Sequence, residues 1–495
     1  MFEPTTIIDE PMSEIQHSKF QEDIFSFIEN EKGSLIVDAK AGSGKTYTMC
    51  ASMHRLPYPD DLILALAFNK SIATTLQNRV PSFVEARTFN SLGYGAVKRE
   101  FNSDMLRSPN EKVMTILKKV VPNNYHEDYL YELCRVIHSG KAWGVSHYAP
   151  NDEIIWNQLL ADTDQFDISE IFPRCIPWLI KAYQMSLEQT DVMDFSDQIL
   201  FPLIYNIQGK KYDIIYVDEA QDLNPMQHDF IRHFLTPNGR VIAFGDPRQA
   251  IYGFRGADAK SMNKLSRMFN ATSLPLSISY RCAQNIIKEA QSIEPNIEPR
   301  PSAPPGIVED IDKIDIPNMR SDDLVICRNN APLIRLGMKF LAARKPVHVR
   351  GDFGANIIKF VKKFKTDDIS IFKQRLEEWY EVEYDKAEKS SKPALMNSIE
   401  EKYNSIKIVV EEEEPEDVKS LIRTFQRLFD AKIGTTLSSI HKAKGEEADR
   451  VFIYLPQLMP SKYARSQEQI EQEQNLEYVA ITRAKNELYY VTRGN

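Results

Sequence analysis

Ala39-Lys40-Ala41-Gly42-Ser43-Gly44-Lys45-Thr46 follows the apolar run 34–39 and opens a segment that reads as a helix. Its glycines let backbone N–H groups close around a phosphate, and the N-terminus of the following helix adds positive potential. In that setting Lys45 is expected to contact the β- and γ-phosphates of a nucleotide, and Thr46 to ligate Mg²⁺. A second constellation, Asp218-Glu219-Ala220-Gln221-Asp222, closes the apolar run Asp213–Val217. A carboxylate at a strand end opposite a phosphate loop holds Mg²⁺, and its neighbour can orient and deprotonate the attacking water. Asp218 is therefore assigned to the metal and Glu219 to the base, which together point to ATP hydrolysis.

Further segments follow in chain order: Phe20-Gln21, Ala67-Phe68-Asn69-Lys70, Thr88-Phe89-Asn90-Ser91, Asp194-Phe195-Ser196-Asp197, the block from Phe244 to Ala257 (FGDPRQAIYGFRGA), Ser279-Tyr280-Arg281-Cys282, His441–Glu447 (HKAKGEE) and Tyr478–Ala484 (YVAITRA). With the phosphate loop and the acidic pair, they resemble superfamily 1 DNA helicases of the UvrD/Rep type across nearly the whole chain. The wording of 67–73 and 245–257 looks closest to the branch containing the F-box DNA helicase, although no F-box precedes Gln21.

The resemblance implies roles. Gln21 would read adenine, Tyr280 would stack on it, and Tyr47 follows Thr46 where relatives often carry arginine. Residues Ala39, Lys40, Ala41, Gly42, Ser43 and Gly44 would wrap the phosphates. Gln249 would sense the γ-phosphate, Gly445 and Glu447 would face the nucleotide with Glu447 on the ribose, and Arg281 would reach the γ-phosphate from a second lobe. Arg483 would act as an arginine finger. The implied catalytic set is Lys45, Asp218, Glu219, Gln249, Arg281 and Arg483. Phe68, Asn69, Thr88, Phe89, Asn90, Tyr252, Phe254, Arg255 and His441 match family positions on single-stranded DNA, where rings stack on bases with little sequence preference. The implied polarity is 3′→5′. Glu446 replaces the family's usual leucine, and Gln474 and Asn475 stand where relatives often carry arginines.

Such residues need two rigid platforms. Apolar runs at 34–39, 62–67, 213–217 and 240–244 predict buried strands of a parallel α/β sheet. Runs at 322–328, 345–349, 435–440, 450–455 and 487–491 predict a second. The expected fold is α/β: two RecA-like P-loop lobes with parallel sheets, each interrupted by a mainly helical insertion. The first lobe is placed at 1–100 and 190–271, with a helical insertion at 101–189. The second is placed at 272–354 and 432–495, with a small charged helical insertion at 355–431. The proline-rich stretch Glu294–Gly306 reads as a connector, and the acidic run Glu411–Glu414 as a solvated loop. Since only Ala484–Asn495 follow Arg483, any strand-separating wedge is expected in the first insertion, with Trp143 a candidate ring.

A net charge of −9 argues against a coat-like nucleic-acid binder, whereas a motor needs only a local basic groove. Five scattered cysteines without a C-x-x-C pair predict buried thiols in a reducing compartment. No apolar run is long enough to span a membrane, so the protein is expected in the cytoplasm, or the nucleus of a eukaryote. The expected partners are single-stranded DNA and single-strand/duplex junctions, with the chain a monomer. Rival readings are a translocase that strips proteins with little unwinding, and an RNA motor.

Overall fold

The computed structural model describes residues 16–56, 61–102, 104–105, 110–145, 153–161, 168, 171, 174–251, 260–350, 353–389, 393–464 and 466–494. Strands in the first part are β1 (Leu35–Ala39), β2 (Ile63–Ala67), β3 (Val84–Thr88), the short β4 (Asp104–Met105) and β5 (Val192–Met193), β6 (Tyr212–Val217), β7 (Leu235–Gly245) and β8 (Thr272–Leu276). Six of them form one parallel sheet in the order β3-β2-β6-β7-β1-β8, while β4 pairs with β5 alone. The strand β2 is buried at all five residues, as a strand covered on both faces requires. One face packs Ile24, Met49 and Leu76, the other Phe89, Phe230 and Leu265.

Two strands differ from expectation. Val84–Thr88 was not read as a strand, only its last residue Thr88 falling in a DNA-contact motif, yet it is the edge strand β3, with a single fully buried residue to signal it. Thr272–Leu276 was placed in the second lobe, but it pairs with β1 in register Leu35↔Thr272 and so belongs to the first sheet. Its sequence TSLPL carries a proline, which an edge strand tolerates and a central strand does not.

The second part contains β9 (Ile278–Ser279) paired with β10 (Glu298–Pro299), then β11 (Ile307–Ile311), β12 (Leu324–Cys327), β13 (Val347–Val349), β14 (Thr435–Ser439), β15 (Ala448–Tyr454) and β16 (Ala484–Val491). The last six make a second parallel sheet, β11-β16-β15-β12-β14-β13.

Helices Glu111–Val120, His126–Trp143, Glu153–Ala161 and Ile176–Glu188 gather around a separate core that includes Leu117, Leu133, Ile137, Trp156 and Tyr183. A Cβ on Gly140 would stand 2.8 Å from Trp156, so the glycine is what lets that ring pack flat against its helix. Trp143 is half-buried against the same core. The helices Phe353–Lys363, Ile369–Lys389, Pro393–Glu413 and Val418–Phe429 behave differently: their apolar faces share one core with the second sheet, through Ile357, Phe372, Phe425, Leu336 and Leu437. The acidic run, expected as a loop, is exposed but helical through Glu413. All five cysteines are free and buried. Among the described residues no helix is long and apolar enough to cross a membrane.

Candidate active site

The strands β1, β6 and β7 end side by side, which brings the phosphate loop, the acidic pair and Asp246–Gln249 to one rim of the first sheet. In parallel α/β sheets that rim is where ligands bind. Gly42 and Gly44 adopt φ of +73° and +76°, which favours glycine at both turns of the loop. A Cβ on Gly42 would also meet Arg281 at 2.6 Å, because the chain leaving β8 passes directly over the loop.

A cavity of ≈ 740 Å³ lies there, within the size range of small-molecule sites. It is lined from the first lobe by Lys40, Gly42 to Tyr47, Phe68, Asn69, Glu219, Asp222 and Gln249, and from the second by Tyr280, Arg281, Lys444, Gly445, Glu447 and Arg483. Lys45 Nζ sits 2.7 Å from Glu219 and 4.0 Å from Asp218. Glu219 is held at φ +52°, a strained conformation for a non-glycine residue that aims its carboxylate at Lys45. Burial pushes Glu219 up, but Lys45 and Lys444 outweigh it and bring the group down to about 2. Burial pushes Asp218, Asp222 and Asp246 each up to about 6, more than Lys45, Lys444 or Lys40 can offset.

Polar tethers fix the rest. Gln249 donates to Asp246 at 2.8 Å, and Gln221 accepts from the Asp246 N–H at 3.0 Å. Across the cleft, Lys444 donates to Asp222 at 2.7 Å and to the Gln249 carbonyl at 2.7 Å. Asn475, at the site of a family arginine, donates to the Ala250 carbonyl at 3.1 Å. The Tyr478 hydroxyl accepts from the Ala41 N–H at 3.0 Å. Arg281 pairs with Glu447 at 2.7 Å and donates to the Thr482 carbonyl at 3.1 Å. Arg483 is 1% exposed, and its guanidinium donates to the Val479 carbonyl at 2.9 Å and the Glu446 carbonyl at 3.1 Å. Burial and the neighbouring Arg281 push it down to about 10.

The residues present fit a magnesium–nucleotide: a buried guanidinium bonded to carbonyls, a Ser43 hydroxyl with no hydrogen-bond partner among the described residues, and the carboxylates of Glu219 and Asp222 line one cavity, with Asp218 buried beside Lys45. Three expected nucleotide contacts stand elsewhere. Gln21 is 4% exposed and does not line the cavity; its amide caps its own helix through the Ser18 N–H (2.9 Å) and donates to Thr48 (3.1 Å). Ala39 and Ala41 are buried supports of the loop.

The expected DNA face is partly corrected. Phe68 is 40% exposed at the tip of β2. Asn69 caps the helix Lys70–Gln77, accepting from Ile72 N–H at 2.9 Å, and also lines the cleft. Thr88 caps the helix Phe89–Phe101 in a reciprocal pair with Ser91. Phe89 is 2% exposed and packs on Phe230, so it is a core residue and not a DNA contact. An N1 aromatic just behind a cap points into the protein here. Asn90 donates to the Phe195 carbonyl at 2.8 Å. His441 lies half-buried on the short helix Ile440–Ala443. Tyr252, Phe254 and Arg255 lie outside the described residues.

The sequence reading missed Phe195 as a site residue. It is 50% exposed and, with Phe68, Asn90 and Asp222, lines a second cavity of ≈ 280 Å³ that shares Phe68 and Asp222 with the first. The available signal was a phenylalanine between two aspartates. Beneath it, Lys112 pairs with Asp197 at 2.7 Å, and Lys141 with Asp194 at 2.7 Å and Asp197 at 2.6 Å, all four fully buried.

Two parallel-sheet lobes, with a phosphate loop and acidic strand end on one and arginines on the other, define a protein of paired RecA-like P-loop domains. Residues 20–270 match the UvrD/REP helicase N-terminal domain and residues 347–493 the UvrD-like helicase C-terminal domain; the chain belongs to the UvrD/REP helicase family. It is 25% identical over 295 residues to an ATP-dependent DNA helicase Rep of Buchnera aphidicola subsp. Schizaphis graminum, covering 54% of this chain and 43% of the relative. It is 24% identical over 298 residues to a DNA helicase II of Haemophilus influenzae (53% and 38% covered), and 24% identical over 300 residues to an ATP-dependent DNA helicase PcrA of Staphylococcus aureus (54% and 39%). The matched stretch thus spans less than half the length of these relatives.

Proposed function

We propose that this chain is an ATP hydrolase that moves 3′→5′ along single-stranded DNA and unwinds duplex at single-strand/duplex junctions, acting as a monomer. The carrying observation is the division of the cleft: Lys45, Asp218, Glu219 and Gln249 stand on one lobe and Arg281 and Arg483 on the other, so one triphosphate would engage both. The family match and the helicase names of the relatives support the same reading. Within the family, the wording of 67–73 and 245–257 favours the F-box DNA helicase branch. The lobes are divided at about 1–100 with 190–276, and 277–354 with 432–495; the insertions are 101–189 and 355–431.

Thr46 and Asp218 are the residues placed to hold Mg²⁺, which when bound supplies positive charge between the β- and γ-phosphates. Lys45, now on Glu219, is drawn onto the phosphates. That removes a charge holding Glu219 low and leaves its carboxylate able to take the proton of the attacking water. Gln249, fixed by Asp246, orients against the γ-phosphate, and Arg281 and Arg483 close on it from the second lobe. Tyr47 and Tyr280 offer rings to the base.

Two measurements test this. Turnover that requires Mg²⁺ and rises with single-stranded DNA, together with unwinding of 3′-tailed but not 5′-tailed duplexes, is expected. Translocation without unwinding would leave a protein-stripping motor, and 5′-tail preference would overturn the polarity. Second, Phe195→Ala is expected to slow translocation about tenfold, in line with ~1–3 kcal/mol per stacked base, and to leave DNA-free turnover alone. An equal fall in both rates would make Phe195 a packing residue.

A further inference from the structure

Position 40 of the phosphate loop carries a lysine whose side chain is 4% exposed. Its backbone already has two structural duties: the N–H donates to the Leu276 carbonyl of β8 at 3.0 Å, and the carbonyl accepts from Ser43 at 3.1 Å, closing the loop's turn. The ammonium turns to a small charge cluster. It donates to both oxygens of Asp38 at 2.9 Å, two residues back in the same strand, and lies 3.4 Å from Glu294. Glu294 is itself buried, receives Arg248 at 3.3 Å, and accepts from the Asn296 N–H at 3.2 Å.

Glu294 belongs to the other lobe. It follows the helix Gln284–Ala290, and its neighbours Ile293 and Ile297 pack in the core of the second sheet with Ile326, Val451 and Leu488. Asp38, Lys40 and Arg248 belong to the first. The contact is therefore a buried charge pair across the cleft, at the root of the loop that wraps phosphates. With the lobes closed, Glu294 is a buried carboxylate held by Lys40 and Arg248 of the first lobe, and leaving it buried without a cation would be strongly unfavourable; when the lobes part, Lys40 keeps Asp38 and loses Glu294.

We propose that Lys40 is a positioning residue through which Glu294 of the second lobe sets the phosphate loop, so that the loop takes its nucleotide-receiving shape when the lobes close. This rests on the reading of the cleft as a nucleotide site. Lys40 acts through the loop backbone it anchors and does not take part in the chemistry.

The test uses the full chain. Glu294→Gln is expected to raise KM for Mg–ATP and weaken binding of a fluorescent ATP analogue about tenfold, with kcat at saturating ATP and single-stranded DNA within about twofold, a shift that corresponds to one lost charge contact. Lys40→Met should weaken binding at least as much, because it also strips Asp38 of its cation, and the double variant should fall short of the sum because the Lys40–Glu294 contact is shared. Lys40→Arg should recover most of the affinity. Wild-type affinity in Glu294→Gln, or effects of the two substitutions that simply add, would overturn the latch. A parallel loss of kcat and affinity without recovery in Lys40→Arg would do so too, by making the cluster a folding element. If the wild-type chain itself binds no nucleotide, the nucleotide-site reading fails instead.

Discussion

Arg483→Ala is expected to lower DNA-stimulated turnover by about 10³–10⁵-fold while leaving nucleotide binding within about tenfold. The guanidinium is almost wholly buried, lines the cleft, and its protein hydrogen bonds go to carbonyl and hydroxyl oxygens of Val479, Glu446 and Thr482. Those partners fix its plane but supply no full negative charge, and Arg281 beside it adds repulsion. A cation so placed gains most from the ligand state that carries the most negative charge at its end of the cleft. During phosphoryl transfer that is the transition state, so the effect falls on the rate and not on the affinity. Lysine should not restore it, since a point charge cannot keep the carbonyl bonds of the fork and face the phosphate as well. Single-turnover hydrolysis beside equilibrium binding of an ATP analogue separates the two quantities. Hydrolysis at the wild-type rate in Arg483→Ala would end the assignment.

Lys141→Met is expected to destabilise the join between the helical insertion and the first lobe by about 3–5 kcal/mol, the range found when a buried ion pair loses one member. Lys141 is the shared cation of Asp194 and Asp197, while Lys112 pairs with Asp197 and donates to the Gln189 carbonyl. Burial pushes Asp194 up, but Lys141 more than compensates and leaves its pKa below the ordinary value. A depressed carboxylate contributes stability above its unfolded pKa and loses it as pH falls through the folded one. In Lys141→Met the sign reverses: Asp194 favours its protonated form, so the deficit against the wild type should shrink as pH falls from about 8 towards about 4. Urea unfolding across that range reads both effects. A deficit that does not change with pH would mean that Lys141 matters for its packing and not for its charge. Because Asp194 and Asp197 flank Phe195, the same variant should blunt the response to single-stranded DNA.

The parts legible in the sequence were those with strict local geometry. The phosphate loop needs glycine at two left-handed positions and a lysine after them, and the strands β1, β2 and β6 and the second half of β7 are mostly apolar because both faces are covered. The edge strands β3 and β8 escaped, since β3 is only half-buried beyond Val84, three of the five residues of β8 are exposed, and their composition resembles that of loops. Cleft residues from the second lobe could be placed only through the resemblance: no local pattern shows that Lys444 meets Asp222, 222 residues away. Phe89 went wrong because a motif marks a stretch of chain, while the helix that begins there decides which side chain faces in. Gln21 was placed on the base for the same reason, and its amide is taken up at one end by its helix cap and at the other by Thr48.

The chain crosses from one lobe to the other between Leu276 and Arg281, and on both sides of that crossing it is bonded to the phosphate loop, by Lys40 N–H to Leu276 O at 3.0 Å and Tyr280 N–H to Gly42 O at 2.8 Å. The fulcrum and the fuel chamber therefore coincide. Mechanically this is a short effort arm and a long load arm: Phe68 rides at the end of β2, four strands from β8 in the sheet order. Four spacings of ~4.8 Å make a lever of roughly 19 Å. A swing of about 10° at the fulcrum would carry the tip through ~3 Å, close to the ~3.4 Å rise of one nucleotide. If the chain is the single-strand motor proposed above, that gearing would match a stride of a single base.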